Sequence, residues 1–403
     1  MTDLLKPAKP AKPARLFLAD HLLRNVVGHH LGYNMALADA AARREISPCL
    51  VTHRAFDLSL APGVACRKLF HTDFRAAPPA GIARNHRLLR LLEMWCDWQF
   101  GRDLRKFSGV GDSDAVFAQM LAPRHFLQWL RWMSAQPSPP VLILQLGYRP
   151  ERFAAPGIAA ASGRLARGIR ERVLFVTDSE KLIGPFEENL GRQVHYLPHI
   201  LSYDFPRQPP GKTGKPHVLF APGNARREKG FAEIVSAIRT VSRSGARDDF
   251  HFMVQHHDPD PVCAEVLRKG LPSGVEAIDR PLEDREYVEH LNRADVVLLP
   301  YHLDLYERRT SGIFCEARVA GKPVIATEKS WAGDRVRREG GGWLVQERDA
   351  ASLVACLQSL PETFAQKAAE AGRLRQQAFD EFHREGFLTA LVGLFQKGAQ
   401  GGH

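Results

Sequence analysis

The sequence predicts an α/β protein with two Rossmann-like units in one chain. Three observations carry this expectation. The stretch RLFLAD (15–20), followed by a glycine-containing loop and a helix-patterned run, is the usual opening of a doubly wound domain. A second opening of the same kind, HVLFAPGNARREKGF, begins at His217. Between them, SYDFPRQPPGKTGKP (202–216) has the Pro, Gly and Lys content of a domain junction. With 403 residues and 44% apolar content, the chain is long enough for two or three domains with proper cores.

Residues 1–14, with Lys-Pro-Ala repeated, read as a disordered basic leader. The first domain is expected over 15–205. Its first strand, 15–20, leads through a loop containing Gly28, His29 and His30 into a helix over 31–44, with Leu31, Met35, Ala38 and Ala42 on one face. Ligands of doubly wound domains lie beyond the carboxyl ends of the strands, which places that loop at a ligand-facing edge. Adjacent histidines cannot both point the same way, so one of the pair is structural. Further strands are expected at 49–52, 115–121, 141–147 and 173–177, with Asp178 and Ser179 capping the helix after the last.

The run 83–106 reads as a helix with Leu88, Leu91, Leu92 and Trp95 at helical spacing, flanked by Arg84, Arg87, Arg90, Arg102, Arg105 and Lys106. Two readings stand. The preferred one packs the apolar stripe on the sheet and leaves a solvated basic face, because Glu93, Asp97 and Asp103 interrupt the positive charge. The other lays the helix on an anionic membrane, and the aromatic-basic run HFLQWLRWM (125–133) keeps it open. Charge is lopsided in the same direction: residues 1–200 hold 27 Lys and Arg against 17 Asp and Glu, while residues 201–403 hold 28 of each. No DNA- or RNA-binding motif accompanies that charge, and a nucleic-acid partner is not expected. The six cysteines show no metal-ligand spacing and read as free buried thiols in a reducing compartment. With no apolar run of membrane-spanning length and no signal peptide, the expected location is the cytoplasm, at most at the inner face of the membrane.

The second domain is expected over 206–378, with strands at 217–221, 250–255, 275–278, 294–299 and 324–326, a helix at 349–360, and a tail over 379–403 with an apolar stripe. Its organising stretch is YERRTSGIFCEARVAGKPVIAT (306–327). Thr310 or Ser311 caps a helix whose apolar face is Ile313, Phe314, Ala317 and Ala320; Gly321 ends it and Pro323 starts a strand. A helix that opens on Ser311-Gly312 presents backbone N–H groups and a positive dipole end, which suit a phosphate. Glu316, one turn on, is placed to accept hydrogen bonds from ribose hydroxyls. In the PGNARREKGF turn, Arg226 and Arg227 stand near a positive helix end, an unfavourable placement unless an anion is bound. His256, His257 and Asp258 look like a metal cluster, but consecutive residues rarely converge on one ion, and a structural zinc is rejected.

SGIFCEARVAGKPVIAT, followed by the glycines of EGGGWLV, resembles the C-terminal domain of the retaining nucleotide-sugar glycosyltransferases of GT-B fold, the large "glycosyl transferases group 1" type family. The resemblance implies two Rossmann-like domains facing across a cleft, with the donor mainly on the second, the acceptor mainly on the first, and the tail returning to the first. It implies a nucleoside-diphosphate sugar as donor, a glycan or lipid-linked acceptor, retention at the anomeric carbon, and neither metal nor cofactor. Lys229 stands at the family's phosphate lysine. The companion arginine's position holds Asn224, so Arg226 or Arg227 is expected to substitute. Gln255, Tyr301, Ser311, Gly312, Ile313 and Glu316 are expected around the donor, with Leu282 on the loop that passes the base and Gly28 on the first-domain loop. The family shows two glutamates eight apart; here Arg308 precedes Glu316 at that spacing, with Glu307 one place off. A histidine often follows the strand at 141–147, where this chain has Gln145 and Tyr148; with His29 and His30 these are the candidates for sugar or acceptor. The departures leave open a silent GT-B module that binds a nucleotide or a partner, and another chemistry such as epimerisation.

Overall fold

A computed structural model describes residues 12–25, 30–71, 86–201, 204–205, 217–244 and 246–400. Gly28, His29, Arg84, most of the basic leader and nearly all of the junction lie outside the described residues. The chain divides into two compact units: Met1–Pro198 with Arg384–His403, and His199–His383.

The first unit is built on a seven-stranded sheet of order β3-β2-β1-β4-β5-β6-β7, every neighbouring pair parallel. The strands are β1 (Arg15–Asp20), β2 (Ser47–His53), β3 (Ala65–Phe70), β4 (Ala115–Leu121), β5 (Val141–Leu146), β6 (Val173–Thr177) and β7 (Val194–Tyr196). Central strands such as VLIL in β5 are apolar at successive positions and buried throughout, because helices cover both faces of a parallel sheet. Those helices are α1 (His30–Arg43), α2 (His86–Arg105), α3 (Pro123–Ser134), α4 (Pro156–Gly163), α5 (Arg167–Glu171) and α6 (Glu180–Leu190). Residues 12–14 belong to this fold, contrary to the expected leader. Lys12 Nζ donates to Arg44 O (2.7 Å) and pairs with Glu45 (2.8 Å), and Ala14 N donates to Ser113 O (2.8 Å).

The two aromatic helices bury different faces from those expected. In α3 the aromatics are core: Phe126, Trp129 and Trp132 are buried, and Trp132 Nε1 donates to Phe107 O at 3.0 Å. In α2 most of the stripe assigned to the core faces solvent, with Leu91 60% and Trp95 53% exposed and Leu92 half-buried. Its buried side is Gln99, Phe100, Asp103 and Leu104. The helix packs on the core and keeps a solvated basic face, but not through the stripe assigned to it. Phe100 and Leu104 supply the inward contact, and the upstream apolar positions are in excess of what the core takes.

The second unit has a six-stranded parallel sheet of order β10-β9-β8-β11-β12-β13. In chain order its elements are β8 (His217–Ala221), α7 (Phe231–Arg243), β9 (Phe250–Gln255), α8 (Pro261–Arg268), β10 (Val275–Ile278), α9 (Asp284–Arg293), β11 (Val296–Leu299), α10 (Leu303–Tyr306), α11 (Gly312–Val319), β12 (Val324–Thr327), α12 (Trp331–Glu339), β13 (Gly342–Val345) and α13 (Ala350–Phe382). Asp349 caps α13, accepting from Ala351 N and Ser352 N, but the helix does not end at the expected residue 360 and runs on through Pro361. Burial of Leu353, Leu357, Leu360, Ala371, Ala378 and Phe382 along the helix outweighs the one hydrogen bond a proline removes. The last helix, α14 (Arg384–Gln400), completes the first unit. Arg44 Nη2 donates to Glu385 O (3.0 Å), and Phe387 lies edge-on to Tyr33 at 5.8 Å.

Candidate functional site

The order of the second sheet reverses between β8 and β11, so the loops leaving these strands diverge and open a crevice at their carboxyl ends. Residues of both loops and of α11 meet there. The β8–α7 loop turns at Gly223 (φ 98°) and Gly230 (φ 70°), where side chains are disfavoured. A Cβ on Gly223 would stand 2.4 Å from Lys229 Nζ and 3.6 Å from Ile313 Cδ1. The ammonium is thus folded back over the loop, beside the first turn of α11. Gln255, at the end of β9, holds the loop from behind: its Oε1 accepts from Gly223 N (2.6 Å) and its Nε2 donates to Arg280 O (3.0 Å). Both ends of that amide are spent on the protein, which makes Gln255 a positioning residue.

Arg226 and Arg227 do not stand as unbalanced charges at a helix end. Arg226 pairs with Asp258, which also accepts from Asn224 Nδ2 (3.1 Å). Arg227 Nη2 lies 3.6 Å from Asp304, and its backbone N–H donates to Asp260 (2.5 Å). The electrostatic conflict read from the sequence is relieved by carboxylates of this chain, so it no longer argues for a bound anion. Asp258-Pro259-Asp260 has the spacing of a metal-binding D-x-D, yet both carboxylates serve the loop, and Asp260 also caps α8 through Cys263 N. Among the described residues there is no metal-ligating cluster of three.

Of the two cap candidates, Ser311 is the one used: its Oγ accepts from Phe314 N at 3.2 Å, and Tyr301, buried, hydrogen-bonds to it. The first N–H groups of α11 remain directed out of its N-terminus. Gly312 is a place of close approach, since a Cβ there would lie 3.0 Å from His199 Nε2. Glu316, on the same helix, accepts from Tyr287 Oη at 2.5 Å. Burial pushes the Glu316 carboxyl up to about 7, against the pull of Tyr287 and Lys229. Burial draws the Lys229 ammonium down to about 8, with Glu228 and Glu316 opposing the shift and Arg309 adding to it.

Sequence reasoning passed over three of these residues. Arg309 is half buried, lies over Tyr306 (5.6 Å) and acts on Lys229 electrostatically, while Arg308 and Glu307 are exposed. Counting eight back from Glu316 reaches Arg308, and only the fold shows that its neighbour turns inward. Tyr287 and His199 come from distant segments and carry no local signal. Leu282 packs partly buried against the core of the second unit.

In the first unit, His30 is tied into the fold. It is buried, with Nδ1 2.8 Å from Asp20 Oδ2, and Asn34 Nδ2 donates to the same oxygen (3.1 Å). Burial would raise the Asp20 carboxyl, but the bond and charge of His30 hold it below its ordinary range. Gln145 is buried at the end of β5, and Tyr148 donates its hydroxyl to Asp178 at 2.7 Å.

Residues 215–362 match the model of the family described as Glycosyl transferases group 1. The curated glycogen synthase of Mycobacterium tuberculosis is 22% identical over 190 residues, 47% of this chain and 44% of that protein. The match thus spans less than half the length of this curated relative. Among solved structures, a glycosyltransferase from Rickettsia africae ESF-5 superposes with a TM-score of 0.66 at 11% identity, covering 96% of this chain and 98% of its own. Sucrose-phosphate synthase from Thermosynechococcus elongatus gives 0.63 at 16%, covering 95% and 98%. Anabaena Alr3699/HepE in complex with UDP and glucose gives 0.59 at 13%, covering 95% and 99%. At these identities the structures speak for the fold, which is GT-B.

Proposed function

From a chain of GT-B fold whose residues 215–362 are a glycosyl transferases group 1 domain, we propose a glycosyltransferase that moves a sugar from a nucleoside diphosphate to a glycan or lipid-linked acceptor, with retention and without a metal. The observation that carries this reading is the convergence of the Lys229 ammonium, the opening turn of α11 and Glu316 at the β8/β11 switch point. Ligands of open α/β sheets lie there, and those three groups match a diphosphate and a ribose. As the bond from the anomeric carbon to the β-phosphate oxygen breaks, the electron pair stays on phosphate. Lys229 and the α11 N–H groups meet that charge while an oxocarbenium-like sugar forms. Metal independence is supported by the engagement of Asp258 and Asp260 with the loop.

A melting screen with UDP, GDP, ADP and TDP in the presence of EDTA tests the donor site. One of them, UDP first because the Anabaena protein was solved with it, is expected to raise the melting temperature; ligand at 100 times its Kd adds about 2.7 kcal/mol to a fold it binds. Glu316→Ala is expected to weaken that nucleotide by about 1–3 kcal/mol without unfolding the protein. No shift from any of the four would remove the reading. Binding without turnover of any donor sugar would leave a nucleotide-binding module.

The site also sets a pH profile. The phosphate needs Lys229 charged, and its pKa in the free protein is about 8, so affinity falls as pH rises past that value. Ribose hydroxyls need Glu316 as a carboxylate, and its pKa is about 7, so affinity falls again below that value. Calorimetry across pH is expected to show a maximum between these limits, with proton uptake on its alkaline side. A flat profile would mean that neither group touches the nucleotide.

A further inference from the structure

We propose that the solvent face of α2 docks the first unit on an anionic lipid surface. Eight large apolar side chains are exposed among the described residues, and five of them lie on this one helix: Leu88, Leu91, Met94, Trp95 and Trp98. Leu88, Leu91, Trp95 and Trp98 follow the spacing of one helical face, and the same progression continues into Arg102 and Arg105. Arg102 lies over the Trp98 ring at 5.1 Å, joining the apolar run to the charged end. Arg90, Arg105 and Lys106 are exposed around it.

The three acidic residues that interrupt this helix do not weaken its positive face. Glu93 and Asp97 are drawn to the neighbouring helix, where Arg124 lies 3.2 Å from one and 3.7 Å from the other. Asp103 is fully buried and accepts from His71 N (2.9 Å) and Gln99 Nε2 (3.1 Å), with the His71 ring 2.8 Å away. What reaches solvent is a stripe of Leu, Met and Trp with arginines beside it. Indoles and leucines lodge at the depth of lipid headgroups, and arginines there meet anionic phosphates. The excess of Lys and Arg, 27 against 17 over residues 1–200, has the sign this surface requires.

The test uses the full chain with vesicles of phosphatidylcholine alone and of phosphatidylcholine mixed with phosphatidylglycerol. Cosedimentation is expected with the mixed vesicles and should fall with added salt. Trp95→Ser with Trp98→Ser should lower partitioning by about tenfold or more, since each indole loses buried apolar area. Arg90→Gln and Arg102→Gln should each lower it by about fivefold, the effect of one charge near the surface. All these side chains lie outside the donor site, so nucleotide-induced melting shifts should be unchanged, which separates failure here from failure of the donor reading. Equal binding to both vesicle types, no binding to either, or self-association abolished by the tryptophan substitutions would overturn the proposal.

Discussion

Lys229→Ala is expected to lower turnover by about 100-fold or more, the effect of deleting one preorganised donor to a developing oxyanion. The ammonium is held over Gly223 against the first turn of α11, in a partly buried setting that costs the free protein charge stabilisation. Burial lowers the lysine from 10.5 to about 8, so the folded state holds this proton less tightly than the unfolded chain, and stability is lost as pH falls through that window. At pH 7 the lysine is therefore a net burden on the empty site, and Arg309 adds like-charge repulsion. The alanine variant should melt at the wild-type temperature or above it without ligand, and should lose most of the nucleotide-induced shift. Steady-state kinetics and melting curves, with and without nucleotide, check both halves. Near-normal turnover together with a lower apo melting temperature would make Lys229 a structural residue.

Much of this frame is legible from local pattern. Buried parallel strands such as RLFLAD, HVLFA and FHFMVQ announce themselves as apolar runs, and all three appear at the expected bounds. Strands whose stability comes from neighbours are not legible. ACRKLF in β3 is broken by charge, VHY in β7 is three residues long, and GWLV in β13 hides behind glycines. The same division runs through the site. Ser311 as cap and Lys229 beside a glycine turn follow from spacing along the chain. Tyr287 on Glu316, His199 against Gly312 and Arg309 near Lys229 depend on segments that meet only in the fold. The charge argument at Arg226 and Arg227 fails for the same reason, because Asp258 and Asp304 are supplied from other segments of the chain.

Gly230→Ala is expected to damage the second unit more than any exposed substitution, and to carry the donor site with it. Two costs add. The residue sits at φ 70°, where a Cβ costs about 1–2 kcal/mol. The new methyl would also fall 2.1 Å from Pro300 O, a backbone atom at the end of β11 that no rotamer change can move aside. Either the turn into α7 or the end of β11 must shift, for a total loss of roughly 3 kcal/mol or more. Since Lys229 is the adjacent residue, a shift of the turn displaces its ammonium from the first turn of α11, and nucleotide affinity should fall beyond what the stability loss explains. Gly270→Ala supplies the control. It has a similar backbone angle, φ 73°, and nothing within 4 Å of the position a Cβ would take, so it carries the backbone cost alone. Hydrogen exchange on β8 and β11 amides, with nucleotide titrations of both variants, measures the difference. Equal losses in the two would show that the contact with Pro300 is relieved at no cost, and that the turn does not fix the lysine.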